Sequence, residues 1–251
     1  MAVEDDHLAR DLAVAVGYRL IDLRARGGQP DELRKAGDLM SHEFLTTELA
    51  RLRPHDRVLS EEGADDPARL SADRVWIVDP LDGTREFGEA GRTDWAVHVA
   101  LWERARGGLT AGAVALPAQN EVLSTVAPPP APSAEPPPAP IRVVVSRSRP
   151  ASFLPRMAEL AGADLNPLGS AGAKVAAVLL GEADAYVHAG GQYEWDSAAP
   201  VAVARAAGFH TSRIDGRPLS YNQPDLLMPD IVVCPPALAG ALLDAIRTAQ
   251  S

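Results

Sequence analysis

The most informative stretch of the chain is Trp76-Ile77-Val78-Asp79-Pro80-Leu81-Asp82-Gly83-Thr84. Its apolar residues predict a short buried strand, and the strand ends in a turn that carries two carboxylates. Hard cations such as Mg²⁺ prefer carboxylate and carbonyl oxygens as ligands. Asp79, Asp82 and the Leu81 carbonyl are therefore candidate metal ligands.

A glycine and a hydroxyl residue follow the two carboxylates. Gly83 allows close approach of the backbone, and its amide and that of Thr84 are expected to point at a phosphate group. An ordinary turn that closes a strand is the alternative interpretation of such a segment taken alone. The rest of the sequence decides between the two.

The composition limits the classes of function. A chain of 251 residues with 46% apolar content suits one large or two small domains. Lysine and arginine number 24 against 34 acidic residues, which gives a formal charge of −10. A general nucleic-acid binder needs a basic face, so this charge argues against that class. An anionic substrate would need a local cluster of cations.

The sequence favours a cytoplasmic protein. Cys234 is the only cysteine, which excludes an intramolecular disulfide and suits a reducing compartment. Glu4, Asp5 and Asp6 stand where a signal peptide would carry positive charge. The sequence contains no apolar run long enough to span a membrane.

Helices and strands are distributed differently in the two halves of the chain. Apolar spacing predicts two helices first, with Leu39, Phe44, Leu49 and Leu52 facing inward on the second, and then a series of short strands. In the second half helices and strands alternate. The predicted helices are 6–26, 31–53, 151–161, 170–180, 196–207 and 236–248, and the predicted strands are 57–59, 74–78, 94–102, 109–116, 121–126, 141–145, 183–187 and 231–234.

A proline-rich segment separates the two halves. Ala127–Pro140 contains eight prolines and no side chain suited to a core, so it is expected to be a surface loop or stiff linker. A ligand for a proline-recognition domain is the alternative. We therefore predict an N-terminal α+β subdomain at 1–140, which ends in this segment and carries metal-binding motifs. A C-terminal α/β subdomain at 141–251 would complete the site.

Three motifs resemble those of one family. Asp79–Thr84 resembles the D-P-[LI]-D-G-T signature of the inositol-monophosphatase superfamily of lithium-sensitive phosphatases. Leu59-Ser60-Glu61-Glu62 looks like its glutamate-pair motif, and Glu194–Pro200 looks like its W-D-x-A motif. The resemblance implies that the second glutamate, Glu62, and Asp196 complete the metal ligands. Glu61 is then an outer or exposed group.

This resemblance covers nearly the whole chain and implies a layered αβαβα sugar-phosphatase fold, a Mg²⁺ cofactor of two or three ions, and a homodimer as one oligomeric state. Four carboxylates in one place repel one another unless cations lie between them, which agrees with a multi-metal site. Family members also use an acidic partner to orient the signature threonine. Asp38 is the candidate partner of Thr84, with Glu43 as the alternative.

Two segments of the second half are candidates for an anion pocket. Ser146 and Arg147 follow a buried strand, and Ser170 and Lys174 belong to a segment that opens a helix with free amides. The alternatives are a plain strand-end turn and a serine-capped helix with an exposed lysine. His98, His188 and His210 lack metal-ligand spacing and are interpreted as packing or surface residues.

Both segments resemble those of the superfamily branch that acts on 3′-phosphoadenosine 5′-phosphate. The resemblance implies a Mg²⁺-dependent phosphomonoesterase that releases AMP and phosphate in sulfur assimilation, with Gly83, Thr84, Ser146, Arg147, Ser170, Lys174 and Asp196 binding the substrate. The partner is then a small phosphorylated molecule, not a nucleic-acid polymer or a membrane. Inositol monophosphatase activity, fructose-1,6-bisphosphatase activity and a non-catalytic nucleotide- or metal-binding role are the alternatives.

Overall fold

The computed structural model describes residues 2–251, with side chains from Glu4 onward. The first half forms a five-stranded sheet in the order β1-β2-β3-β4-β5, preceded by two long helices. β1 pairs with β2 in parallel, and the remaining neighbours are antiparallel. The elements are α1 (Ala2–Ala25), α2 (Pro30–Leu52), β1 (Arg57–Ser60), β2 (Arg74–Asp82), α3 (Thr84–Gly88), β3 (Ala96–Glu103), β4 (Gly108–Leu116) and β5 (Glu121–Ser124).

The second half forms another five-stranded sheet, in the order β7-β6-β8-β10-β9. β6 is parallel to both of its neighbours, and β10 is antiparallel to both of its own. The elements are β6 (Ile141–Ser146), α4 (Leu154–Ala161), β7 (Ala163–Leu168), α5 (Ala171–Leu179), β8 (Ala185–Tyr193), α6 (Glu194–Ala206), β9 (His210–Ser212), β10 (Leu227–Cys234) and α7 (Pro236–Gln250).

Within residues 2–251, two sheets and seven helices form the αβαβα layers that the family resemblance implies. β2 shows why, because it is buried on both faces and its side chains alternate between two cores. Trp76 and Val78 pack with α1 and α2, whereas Val75 and Ile77 pack against α5 and α6. The other face of the α5–α6 layer covers the second sheet, whose far side packs against α4 and α7. This central helical layer places α5 and α6 beside the end of β2.

Helix α2 packs closely on the turn that follows β2. Its buried stripe repeats every four residues and consists of Leu33, Gly37, Ser41, Leu45 and Leu49. A Cβ atom added at Gly37 would lie 2.9 Å from the side chains of both Leu81 and Phe87, so the glycine permits this approach. The prediction that Leu39 faces inward is wrong, because its side chain is 58% exposed on the opposite side.

Each helix predicted from the sequence coincides with an observed helix. The short elements α3, β7 and β9 were not predicted, nor were the 3₁₀ turns, of which Pro67–Ser71 follows β1. β7 alternates between half-buried and exposed residues only over its first four positions, and Pro167 then interrupts the pattern, so its strand signal is short. Its strand pairing with β6 is fixed by tertiary contact.

The proline-rich segment 127–140 has no helix or strand and connects the two sheets. Pro130 and Pro132 border a surface groove that Leu179 and Phe209 line from the second half. The change of sheet coincides with the proposed boundary at residue 140. The division into subdomains stays a prediction, because the central helical layer packs on both halves. Among the described residues, no helix combines the length and apolarity needed to cross a membrane.

Candidate active site

Three of the predicted metal ligands converge at the end of β2. Asp79, Asp82 and Asp196 each offer a carboxylate oxygen, and these oxygens lie within 4.8 Å of one another. Asp79 is 1% exposed and Asp82 6% exposed. Asp196 belongs to the first turn of α6, where its Oδ2 accepts a hydrogen bond of 2.7 Å from the backbone N–H of Tyr193. The helix therefore presents its carboxylate to the turn from the other half of the chain.

The glutamate beside this cluster is Glu61, not Glu62. Ser60 pairs with Val78 in the parallel β1–β2 register, so the next residue, Glu61, lies beside Asp79. The Glu61 carboxyl hydrogen-bonds the Asp79 carboxyl and lines the same cavity. Glu62 follows in the same turn, where its charge acts on both Asp38 and Glu61. Of the two glutamates, the structure places Glu61 rather than the predicted Glu62 beside the cluster.

The neighbouring carboxylates repel one another when they are ionised, and this repulsion adds to burial in raising their pKa values. Burial, followed by the charges of Glu61 and Asp82, raises the pKa of Asp79 well above its usual value. Burial raises the pKa of Glu61 to about 7, although part of that side chain faces the open cavity. Burial and the Asp82 charge raise the pKa of Asp196 to about 7.

These raised pKa values fit a cation site. Two carboxyl groups form a hydrogen bond only when one of them holds a proton, as Glu61 and Asp79 do here, and a bound cation would replace that proton. All the donors are oxygens, including the adjacent Leu81 carbonyl, which is the ligand set that Mg²⁺ prefers. The residues present therefore fit the metal that the family resemblance implies.

Thr84 contacts its predicted acidic partner. The Thr84 hydroxyl lies 3.2 Å from Asp38 Oδ1 and 3.0 Å from the Leu81 carbonyl, and both oxygens accept its hydrogen. Burial and the neighbouring Glu62 carboxylate raise the pKa of Asp38 to about 6. The alternative partner, Glu43, is exposed on α2. The structure brings together Thr84 and Asp38, as the sequence analysis expected.

Asp82 is fastened to the start of α5. Its Oδ2 accepts hydrogen bonds from the Ser170 hydroxyl (2.5 Å) and the Gly172 backbone N–H (2.7 Å), and it lies 3.3 Å from His98 Nε2. A Cβ at Gly172 would lie 2.1 Å from that ring nitrogen, so only glycine allows α5 to come this close. His98 is buried, in agreement with the interpretation as a packing residue, and it also lies beside a candidate metal ligand.

The amides at the start of α5 are mostly bound by the protein itself. Besides the Gly172 N–H, the Ala173 N–H donates to the Ser170 hydroxyl, and the Gly169 N–H donates to Asp94 Oδ2. The expected pocket of free amides is thus largely a scaffold for Asp82. Ser170 and the backbone of Gly83 still border the cavity.

Lys174 is buried and bound to backbone. It is 4% exposed, and its Nζ donates to the carbonyls of Gly169 (2.8 Å) and Ser170 (2.6 Å). Burial lowers the pKa of Lys174 to about 8. Its ammonium lines the cavity but two of its three hydrogens hold the Gly169–Ser170 turn. The lysine is therefore not exposed, which the alternative of a serine-capped helix had expected. It also cannot bind an anion with all three of its ammonium hydrogens.

Two arginines after β6 have different partners. The Arg147 guanidinium donates to Glu86 Oε1 (2.6 Å) and to both carboxylate oxygens of Glu89 (3.1 Å each), so its charge is matched by α3 and the residue after it. Arg149 lines the cavity together with Ser146 and Ser148, and among the described residues its guanidinium has no side-chain hydrogen-bond or ion-pair partner. Of these two arginines, Arg149 lines the cavity, whereas Arg147, the predicted anion ligand, is bound by carboxylates.

A cavity of about 420 Å³ joins these groups. Its lining includes the carboxylate cluster, Thr84, Lys174 and Arg149, and also His188 and Gln192, which the sequence analysis did not select. His188 is 3% exposed, its Nε2 lies 2.6 Å from the Gly190 carbonyl, and burial lowers its pKa to about 4. The sequence did contain one indication of these two residues. Gly190 and Gly191 lie between them, and paired glycines inside a predicted strand indicate a bulge.

Comparison with known proteins places this site in a family. Residues 11–251 match the inositol monophosphatase family. A Mycobacterium leprae protein named 3′-phosphoadenosine 5′-phosphate phosphatase is 49% identical over 253 residues, which cover 97% of this chain and 93% of that protein. An Escherichia coli protein named 3′(2′),5′-bisphosphate nucleotidase CysQ is 33% identical over 202 residues, 74% of this chain and 78% of that protein.

A solved structure gives the same result. CysQ from Bacteroides thetaiotaomicron, described as a bacterial member of the inositol monophosphatase family, aligns with a TM-score of 0.77 and 27% identity. The alignment covers 92% of this chain and 97% of that one. The family resemblance of the three motifs is confirmed over nearly the full length. The chain belongs to the inositol monophosphatase family.

Proposed function

We propose that this protein is a Mg²⁺-dependent phosphomonoesterase that hydrolyses 3′-phosphoadenosine 5′-phosphate to AMP and phosphate, as in sulfur assimilation. The observation that carries the proposal is one cavity lined both by the cluster of Asp79, Asp82 and Asp196 and by the cation Arg149. A substrate with two phosphates suits a site that contains both kinds of group. The name of the Mycobacterium leprae relative supports this choice of substrate.

The carboxylates would hold two or three Mg²⁺ ions at the end of β2. Glu61, Asp79, Asp82, Asp196 and the Leu81 carbonyl are the ligands that we propose. When bound, Mg²⁺ stabilises negative charge on the phosphoryl oxygens and lowers the pKa of a water molecule. The local positive charge also explains how a protein with a formal charge of −10 binds an anion.

Thr84 is proposed to orient the attacking water. Its hydroxyl hydrogen is directed to Asp38 and to the Leu81 carbonyl, so its lone pairs remain to accept a hydrogen bond from water. The water oxygen attacks phosphorus, the bond from phosphorus to the ribose oxygen breaks, and that oxygen takes up a proton. A covalent phosphoenzyme is not needed in this sequence of steps.

Arg149 is proposed to bind the second phosphate, with the hydroxyls of Ser146 and Ser148 near it. Arginine suits this role because its planar guanidinium donates two parallel hydrogen bonds to phosphate oxygens. Lys174 adds positive charge to the lining of the cavity, while its ammonium group also donates to the Gly169 and Ser170 carbonyls. A homodimer and a cytoplasmic location, both expected from the sequence, stay predictions.

Phosphate release from a panel of substrates tests the proposal. 3′-Phosphoadenosine 5′-phosphate, inositol monophosphate and fructose 1,6-bisphosphate are supplied at equal concentration, with Mg²⁺ or with a chelator. We expect the bisphosphorylated nucleotide to give the highest kcat/KM and the chelator to abolish turnover. A higher kcat/KM for inositol monophosphate or the sugar bisphosphate would contradict the proposed substrate. Turnover that persists in chelator would contradict the metal requirement.

A further inference from the structure

Strand β8 contains a bulge beside the active site. Met228 of β10 pairs with Gln192, and Asp230 pairs with Ala189, so the single residue Pro229 faces both Gly190 and Gly191. The two glycines have φ values of 90° and 71°, which side chains rarely adopt. An extra residue of this kind bends a strand and redirects the side chain that follows it. The side chain that follows here is Gln192.

Gln192 is buried, and only one of the two polar atoms of its side-chain amide has a hydrogen-bond partner. It is 4% exposed and lines the active-site cavity. Its Nε2 donates a hydrogen bond of 2.9 Å to the Tyr186 hydroxyl, whereas its Oε1 is buried without a partner. Among the described residues that line this cavity, no other has a buried side-chain oxygen or nitrogen without a partner. An unsatisfied acceptor is costly, so it calls for a ligand.

The neighbours of Gln192 show which part of a ligand would reach it. Gly191, on one side, lies against Arg149, since a Cβ there would be 2.7 Å from the guanidinium Nη1. Tyr193, on the other side, donates its N–H to Asp196 of the carboxylate cluster. Gln192 therefore lies between the two proposed phosphate subsites. In a nucleoside bisphosphate, the part between the phosphates is the ribose.

We propose that Gln192 Oε1 accepts a hydrogen bond from the ribose hydroxyl adjacent to the scissile phosphate. Gln192 is then a specificity-determining residue that favours a ribonucleotide over the corresponding 2′-deoxyribonucleotide. The Tyr186 hydroxyl holds the amide so that the carbonyl faces the sugar. This assignment rests on the proposed function, because it takes its substrate from there.

The test compares two substrates in matched variants. kcat/KM is measured for 3′-phosphoadenosine 5′-phosphate and for its 2′-deoxy analogue, and the ratio of the two values is the readout. Gln192→Met removes the acceptor at similar volume. One neutral hydrogen bond corresponds to about a 3- to 10-fold effect, so the ratio should fall by that factor. Gln119→Met is the control, because Gln119 lies outside this cavity and donates to the Thr93 carbonyl.

The outcomes separate the two proposals. Equal losses on both substrates, or an unchanged ratio in Gln192→Met, would overturn the role of Gln192 while phosphate release by the wild type upholds the proposed function. Absence of release from both nucleotides by the wild type would overturn the proposed function and this assignment with it. If Gln192→Met does not fold, Gln192→Asn withdraws the carbonyl by one methylene and must lower the same ratio.

Discussion

Arg69 and Glu194 bind the same two-residue segment from different elements. Arg69 donates to Asn222 Oδ1 (2.7 Å) and to the Gln223 carbonyl (2.8 Å), and Glu194 accepts from the backbone N–H of Asn222 (2.6 Å) and of Gln223 (2.7 Å). Both side chains are 1% exposed. Arg69 belongs to the 3₁₀ turn after the Glu61 loop, and Glu194 opens α6 two residues before Asp196. A buried network thus connects α6, which carries Asp196, with the 3₁₀ turn that follows the Glu61 loop.

Arg69→Met should affect metal binding as well as stability. Removal of a buried arginine leaves its partners unpaired, and we expect a loss of about 3 kcal/mol in the free energy of unfolding. We also expect a higher Mg²⁺ concentration at half-maximal activity. Arg57→Met is the control, because Arg57 forms only an exposed ion pair of 3.7 Å with Asp66. Lower stability with an unchanged Mg²⁺ requirement would limit Arg69 to a structural role.

Glu61 and Glu62 form a matched pair for testing the metal ligands. Glu61→Gln should lower kcat/KM by at least about 100-fold, because a lost ligand removes several kcal/mol of metal-derived stabilisation. Glu62→Gln should have a small effect, since its carboxylate faces Asp38. Steady-state rates across a Mg²⁺ titration measure both. A larger loss of kcat/KM in Glu62→Gln than in Glu61→Gln would indicate that Glu62 is the ligand.

Arg149→Met and Arg147→Met should differ in their substrate dependence. One charge-assisted contact contributes about 1.5–3 kcal/mol, so Arg149→Met should raise KM for the bisphosphorylated nucleotide roughly 10- to 100-fold. Its kcat on a small monophosphate should hardly change. Arg147→Met should impair both substrates alike, because it leaves Glu86 and Glu89 without their cation. Selective loss in Arg147→Met instead would show that Arg147 leaves these carboxylates to bind substrate.

Thr84→Val replaces a hydroxyl by a methyl group at nearly constant volume. If Thr84 orients water, kcat should fall about 100-fold, the lower end of the range for positioned proton-transfer groups, while KM changes little. Thr84→Ser retains the hydroxyl and should recover most of the rate. A valine variant with wild-type kcat would exclude this role.

The stability of the metal-free protein should decrease as the pH rises. Glu61, Asp196 and Glu194 have pKa values raised to about 7, in each case first by burial. The folded protein therefore binds more protons than the unfolded chain near neutral pH, and this contribution to stability is lost as the pH rises through about 7. Thermal unfolding in chelator should give a lower Tm at about pH 8 than at about pH 6.5.

Excess Mg²⁺ should remove the decrease of Tm with rising pH, because the cation replaces the protons that the carboxyl groups hold. Below about pH 6.5 the trend is opposed by His188, whose pKa is lowered to about 4, so the comparison is confined to the higher range. A metal-free Tm that rises with pH in this range would contradict the assignment of a strained carboxylate cluster. Glu61→Gln should make the metal-free Tm less dependent on pH.

Local pattern was sufficient for the predicted helices and for two of the carboxylates. The turn after β2 has a sequence that specifies both its backbone and its chemistry, so Asp79 and Asp82 were predicted as metal ligands from that segment alone, whereas the layered fold and the role of Asp196 were implied by the family resemblance. Thr84 and Asp38 lie on different elements, and their contact was expected only from the family resemblance. The layered fold and the family were predicted correctly.

The remaining site residues depend on register and on distant partners. The choice between Glu61 and Glu62 follows from the pairing of Ser60 with Val78, which no local motif contains. Arg147 is bound by Glu86 of a short helix that the sequence did not predict and by Glu89 directly after that helix. Serine capping of α5 was correctly offered as an alternative, since Ser170 accepts from the Ala173 N–H, but the burial of Lys174 was not foreseen.

The fastening of Asp82 to α5 limits how this residue can ligate a metal. With Oδ2 accepting from Ser170 and Gly172, Oδ1 is the oxygen left for an ion, and a bidentate clamp by Asp82 is excluded while those bonds persist. Mg²⁺ requires a nearly octahedral shell and usually retains several waters. A one-oxygen ligand of fixed direction leaves vertices of that octahedron to exchangeable molecules. The same two hydrogen bonds that immobilise the carboxylate would therefore keep the coordination sphere of a bound ion open to water and phosphate.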